Sequence, residues 1–144
     1  MKKLLILLVI LVSVFGVNAQ TSKLKRPPLP DNLVKMKDAD SADFLNNPTI
    51  KNRLKRLLGK KSYADFLESW ETLNPVEKRG NFLFSSGCMI HACTHIESAM
   101  AIDLVNQTIH VGIFRDTEKT RFFNENGGKT PLSIKNWANR LNQK

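Results

Sequence analysis

Apolar residues follow two different periods along this chain, and the change of period divides it. From Pro48 onward, Ile50, Leu54, Leu57 and Leu58 fall on one face of a 3.6-residue period. Asn47 is placed to cap that first turn, and Pro48 suits the first helical position. Gly59 marks the predicted end of this helix. A second helix is predicted to open at Ser62, with Asp65 three residues on as in a capping box. Tyr63, Phe66, Leu67, Trp70 and Leu73 would line its apolar face until Pro75 ends it. So few residues separate the two helices that they are expected to form an antiparallel hairpin.

Beyond Pro75 the period becomes two. Phe82 and Phe84 alternate with Leu83 and Ser85, and Ser98–Val105 and Thr108–Arg115 read as two strands around Asn106-Gln107. In the second of these, Ile109, Val111 and Ile113 share a face, opposite His110, Gly112 and Phe114. This alternation predicts a half-buried antiparallel sheet with His110 on its outer face. Arg121, Phe122 and Phe123 suggest one more strand, closed by Asn124–Gly128. Thr130 and Pro131 then begin a last helix with Ile134, Trp137, Ala138 and Leu141 on one stripe. The fold class read from this order is α+β: an antiparallel β-sheet with an N-terminal helical hairpin and a C-terminal helix.

The N-terminal flank has a different pattern. Lys2 and Lys3 precede an almost unbroken apolar run from Leu4 to Val17, followed by Val17-Asn18-Ala19. Residues 1–19 therefore read as a signal peptide cleaved after Ala19, which places the protein in the periplasm or outside the cell. No later segment approaches membrane-spanning length, so no membrane span is expected. Residues 20–40 are polar and contain Pro27, Pro28 and Pro30, the composition of a flexible arm. Residues 41–144 are expected to form a single domain.

Charge narrows the partners. Loss of Lys2 and Lys3 takes the formal net charge from +9 to +7. Such a balance suits anionic surfaces, but export and the lack of any nucleic-acid-binding motif speak against nucleic acid as a partner. Lys51, Arg53, Lys55, Arg56, Lys60 and Lys61 make a basic run on the first predicted helix and just past it. It reads either as an anionic docking face or, the preferred reading, as a solvated helix face.

The distinctive segment is Ser86-Gly87-Cys88-Met89-Ile90-His91-Ala92-Cys93-Thr94-His95, set between two predicted strands. An even cysteine count in an exported chain favours a disulfide between Cys88 and Cys93. Such a bridge would close a short loop displaying His91 and order it before any partner arrives. A metal site built from Cys88, His91, Cys93 and His95 is the alternative, although four ligands in so short a stretch would strain a tetrahedral cage. A purely structural staple is a third reading. The Cys-x-x-x-x-Cys spacing is not that of a thiol oxidoreductase. The chain has no Gly-x-Ser-x-Gly elbow, no His-Glu-x-x-His and no evident carboxylate pair, so no catalytic residue, no cofactor and no enzyme activity are expected.

At this loop the sequence resembles the Ivy family, bacterial periplasmic inhibitors of vertebrate (c-type) lysozyme, which carry a Cys-Lys-Pro-His-Asp-Cys loop. Cys88, His91 and Cys93 match that spacing. Thr94–Ser98, Met100–Leu104, Asn106, Val111-Gly112-Ile113-Phe114 and the charged turn Asp116–Lys119 are similar to the family's segments downstream of the loop. The resemblance spans roughly residues 81–125 and implies an antiparallel sheet with helices packed around it. It also implies a protein partner, a lysozyme, whose catalytic cleft receives the loop and whose two carboxyl groups meet His91. Met89, Ile90, His91 and Ala92 would then be the partner-binding loop, with Cys88 and Cys93 as its clamp. Met89-Ile90 and Ala92 stand where the family has Lys-Pro and Asp, which gives this loop an apolar tip. A net charge of +7 would not by itself steer the chain toward a basic lysozyme.

Overall fold

A computed structural model describes residues 26–36 and 40–143. The expected signal segment 1–19, together with positions 20–25 and 37–39 of the expected arm, lies outside the described residues. Ala42–Asn46 forms a short helix, α1, and Pro48–Glu68 a longer one, α2. Asn47 caps α2 as its sequence position indicates: its Oδ1 accepts from the Thr49 and Ile50 amides at 3.0 and 3.2 Å. Two of the four orphan donors of the first turn are thereby satisfied.

Gly59 breaks α2 without ending it. Its φ of 69° and ψ of 175° belong to a region that is nearly glycine-only. Helical residues resume at Lys60, so two helical stretches meet at a single residue and no linker precedes Ser62. The second stretch is also shorter than the apolar stripe suggested. It stops at Glu68, where the Ser69 hydroxyl lies 2.9 and 3.0 Å from the Asp65 and Phe66 carbonyls. Trp70 falls outside the helix, yet its ring stacks on Phe66 with centroids 4.7 Å apart. Leu73 belongs to a strand, β1 (Thr72–Leu73).

The remaining strands are β2 (Glu77–Arg79), β3 (Phe82–Cys88), β4 (Ile96–Asp103), β5 (Thr108–Arg115) and β6 (Arg121–Asn124). They form one antiparallel sheet in the order β1-β3-β4-β5-β6, with β2 beside β1 on the same edge of β3. Pro75 lies between β1 and β2, where a residue without an N–H interrupts an edge strand at little cost. The β4–β5 turn is held by Asp103, whose Oδ1 accepts from the Val105 and Asn106 amides at 2.9 Å each. Burial works to raise the Asp103 pKa. The bonds from the Asn106 backbone and side chain and the Val105 backbone, with the nearby His110, outweigh it and hold the carboxyl below its ordinary value.

The sheet is buried on both faces, not on one. Leu83, Met100, Ile102, Ile109, Val111 and Ile113 pack against Phe44, Ile50, Leu54, Leu58 and Phe66 of α1 and α2. Phe84, Ala99, Ala101 and Phe114 pack on the other side against Ile134, Trp137, Ala138 and Leu141 of the C-terminal helix, α3 (Leu132–Asn142). His110, expected on an outer face, is therefore only 5% exposed. Its ring nitrogens meet Asn124 Oδ1 at 2.8 Å and Thr108 Oγ1 at 3.0 Å, which answers both polar atoms.

Small residues on the second face decide how close α3 can lie. A Cβ at Gly112 would come 2.7 Å from Trp137 Cζ3 and 3.0 Å from Ile134 Cγ2. Gly112→Ala should therefore destabilise the fold by about 1–3 kcal/mol through overpacking, less the small strand preference of alanine over glycine. Urea unfolding followed by circular dichroism measures this, and an unchanged midpoint would show that α3 can retreat freely.

Two expectations from composition are corrected by burial. The described part of the Pro-rich segment is packed: Asp31–Met36 forms a 3-10 turn, and Leu29 and Leu33 join the main core. Two leucines in a polar stretch are enough to dock it, and the Leu29 amide also donates to Gln107 Oε1 at 3.2 Å. In the basic run, Lys51, Lys55, Arg56, Lys60 and Lys61 are exposed, but Arg53 is 2% exposed and turned inward. Its Nε donates to Glu125 Oε1 at 3.0 Å, its Nη2 pairs with Glu125 Oε2, and Nη2 also donates to the Gln107 carbonyl at 2.6 Å.

Candidate functional site

The segment between Cys88 and Ile96 leaves the end of β3 and returns into β4. Register places Cys88 opposite Glu97, so the loop springs from two adjacent central strands. Cys88 and Cys93 are joined by a disulfide, with their Cα atoms 5.0 Å apart. The Met89 amide donates to the Ile96 carbonyl at 3.1 Å and continues the strand pairing by one step past the bridge. The Ala92 amide donates to the Met89 carbonyl at 3.0 Å, closing a turn over Ile90 and His91. His91 occupies its third position with φ 63°, the type II geometry that favours glycine or asparagine. Histidine is among the non-glycine residues that tolerate it.

This places the sequence-predicted residues together. Ile90, 50% exposed, and His91, also exposed, form the tip, while Met89 and Ala92 are half-buried at its shoulders. His95 lies at the foot of the trailing leg. Its Nδ1 is 2.7 Å from Asp116 Oδ2, and the Asp116 amide donates to the His95 carbonyl at 3.0 Å. The bridge removes both cysteines from any ligand set, because a metal needs thiolates. Among the described residues, no group of three or more His, Cys, Asp or Glu side chains is disposed to hold a metal ion. The geometry therefore does not support the metal reading of Cys88, His91, Cys93 and His95.

Sequence reasoning missed the carboxylates that hold the loop. Glu71, in the segment between α2 and β1, accepts from the Ile90 amide through Oε2 at 3.0 Å. Nothing in the local sequence signals that contact. Glu97, at the start of β4, accepts from the Thr94 amide through Oε1 at 2.9 Å. Thr94 and Glu97 have the Thr-x-x-Glu spacing of a capping box, whose glutamate reaches back to a backbone N–H in this way. Here no helix follows, so the signal was present in the absence of its usual context. Thr94 has φ 76°, an uncommon conformation for a β-branched residue and one that costs about 1–3 kcal/mol unless its surroundings enforce it.

Chemically, the loop is a pre-ordered projection with an apolar tip beside an imidazole. Both ring nitrogens of His91 can hydrogen bond, one as donor and the other as donor or acceptor. Among the described residues, no helix is long and apolar enough to cross a membrane. Residues 49–144, which include every strand, the loop and α3, match the family described as inhibitor of vertebrate lysozyme (Ivy). Neither a curated protein nor a solved structure matches the chain.

Proposed function

From the premise that this chain belongs to the Ivy family, whose members are inhibitor proteins and not enzymes, we propose that it is an exported lysozyme inhibitor that acts by inserting the Cys88–Cys93 loop into the lysozyme cleft. The observation that carries this reading is the loop itself: bridged at its base, bonded along both legs, and exposed at Ile90 and His91. A projection ordered in advance loses little conformational freedom on entering a cleft. Lysozyme-type glycosidases keep one carboxyl group protonated and the other ionised on either side of the scissile bond. An imidazole set between them can donate to the ionised group and accept from the protonated one, which occupies the reacting groups and excludes the sugar. The Lys2-Lys3 start, the apolar run and Ala19 supply the export signal this role requires.

The test is a titration of lysozymes of several types digesting cell walls with the purified mature protein. Residual activity of a c-type lysozyme is expected to fall to a plateau at about one inhibitor per enzyme, as for a tight one-to-one complex. Full activity of every lysozyme tested at large molar excess of the protein overturns the reading.

A further inference from the structure

We infer that Glu97 is a positioning residue for the loop: one carboxylate oxygen fixes the trailing leg and the other anchors it to α3. The inference adds to the loop-insertion reading and rests on it for its functional consequence. Glu97 is 7% exposed, so it cannot itself meet a partner that occupies the exposed tip. Its Oε1 holds the Thr94 amide at 2.9 Å. Its Oε2 accepts from Trp137 Nε1 at 3.1 Å and lies 3.4 Å from Arg140 Nη2. Trp137 is 4% exposed and seated over Gly112 at the centre of the sheet. The carboxylate is thus tied at one end to a part of the molecule that cannot move without repacking the core. At the other end it holds the backbone of a threonine in the left-handed region.

The two legs of the loop are therefore held by different means. The leading leg continues β3 and is fixed by the strand pairing and by the Ile90 amide on Glu71. The trailing leg leaves the bridge at Cys93 and turns through Thr94: the Ala92 carbonyl accepts from the His95 and Ile96 amides at 3.0 and 2.9 Å across that turn, and Glu97 supplies the side-chain acceptor for the Thr94 amide itself. Without the Glu97 acceptor, the Thr94 amide loses its partner and the turn is left to its two backbone bonds, with a β-branched residue in the left-handed region. Cys93, and with it the turn that carries His91, would then sample orientations a cleft cannot accept. Buried charge-assisted bonds of this kind are among the strongest single restraints a side chain can supply.

The experiment uses Glu97→Gln in the full mature chain, read by amide hydrogen exchange in the free protein and by lysozyme titration. Thr94 and Trp137 donate to different carboxylate oxygens, and in glutamine one of those positions becomes an NH2 that faces an N–H, donor against donor. The expected result is about tenfold faster exchange at Thr94, with strand amides such as Ile102 unchanged, and a comparable weakening of inhibition. Unchanged exchange at Thr94, or faster exchange spread equally through the strands, overturns the inference, the latter because it marks a general structural role. If the wild-type protein inhibits no lysozyme, the loop-insertion reading fails, while the exchange pattern still decides whether Glu97 positions the loop. Loosened Thr94 with undiminished inhibition overturns the functional half. Should Glu97→Gln fail to fold, the double variant Trp137→Phe/Arg140→Ala carries the same readout, because together the two changes leave the carboxylate in place but remove both donors to its Oε2.

Discussion

Replacement of His91 by alanine is expected to weaken lysozyme inhibition by roughly ten- to a hundredfold and to change the melting temperature little. The side chain is exposed at the tip and makes no hydrogen bond among the described residues, so the free protein loses almost nothing with it. In the complex the loss is different. Loss of the imidazole would leave an ionised carboxyl group without its donor in a cleft from which the loop has displaced water. A hydrogen bond to a charged group is worth about 1.5–3 kcal/mol, which sets the expected range. Backbone conformation supplies a control. His91 sits at φ 63°, where alanine is less comfortable than asparagine. His91→Asn keeps the turn and removes the imidazole, and should lose as much inhibition as His91→Ala. Lys60→Ala, on the exposed basic run, should change inhibition little. The measurement is residual lysozyme activity on cell walls against inhibitor concentration, at matched circular dichroism. Equal potency of wild type and both His91 variants would show that inhibition does not run through this side chain.

Loss of Arg53 should be strongly damaging to the fold. Arg53→Met is expected to destabilise the protein by about 3–5 kcal/mol, because it leaves the Glu125 carboxylate buried without its principal partner. Glu125 is 7% exposed, and its Oε2 also accepts from the Ile109 amide at 2.8 Å. Arg26 Nη1, 3.3 Å from that oxygen, offers partial compensation, which points to the lower half of the range. The pair joins α2 to the start of β5 and to the turn after β6, elements far apart in sequence. Its loss should therefore lower the unfolding midpoint without sparing any part of the domain. Urea unfolding by circular dichroism and tryptophan fluorescence measures this. The double variant Arg53→Met/Glu125→Leu should recover part of the loss, since a buried ion pair replaced by apolar groups is often nearly neutral. A single-variant effect below about 1 kcal/mol would mean that Arg26 or water fully replaces the guanidinium.

Local pattern alone carried the elements whose signals lie within a few residues. The Asn47 cap, strand β5 and helix α3 follow from cap chemistry and from periods of 2.0 and 3.6, which depend only on backbone geometry. The Cys88–Cys93 pair was legible for the same reason: five positions of separation let a turn bring the two together, and the structure contains that bridge. His91 was legible as a displayed residue because it lies between the two ends of the bridge.

Tertiary structure decided the rest. A period of two shows that the faces of a sheet differ, but not that a second layer covers the more polar one. His110 was buried by partners from elsewhere in the chain, Phe82 of β3, Asn124 of β6 and Gly128 beyond it, on the face where α3 covers Ala99, Ala101 and Gly112. A run of basic residues on one helix gives no sign of which will face a carboxylate. Arg53 turned inward because Glu125, brought from beyond β6, could answer its charge there, while its neighbours remained in water. The helical stripe through Trp70 and Leu73 ended early because Leu73 could pair with Gly87 on the edge of β3. The loop's restraint followed the same rule. Glu97 faces Cys88 only through strand register, and its reach to Trp137 exists only because a helix more than thirty residues later packs on that face. Sequence determines a residue's intrinsic preferences. Burial, pairing and the exact partner of a charge are set by long-range contacts, whose free energies exceed those preferences whenever a polar group must leave water.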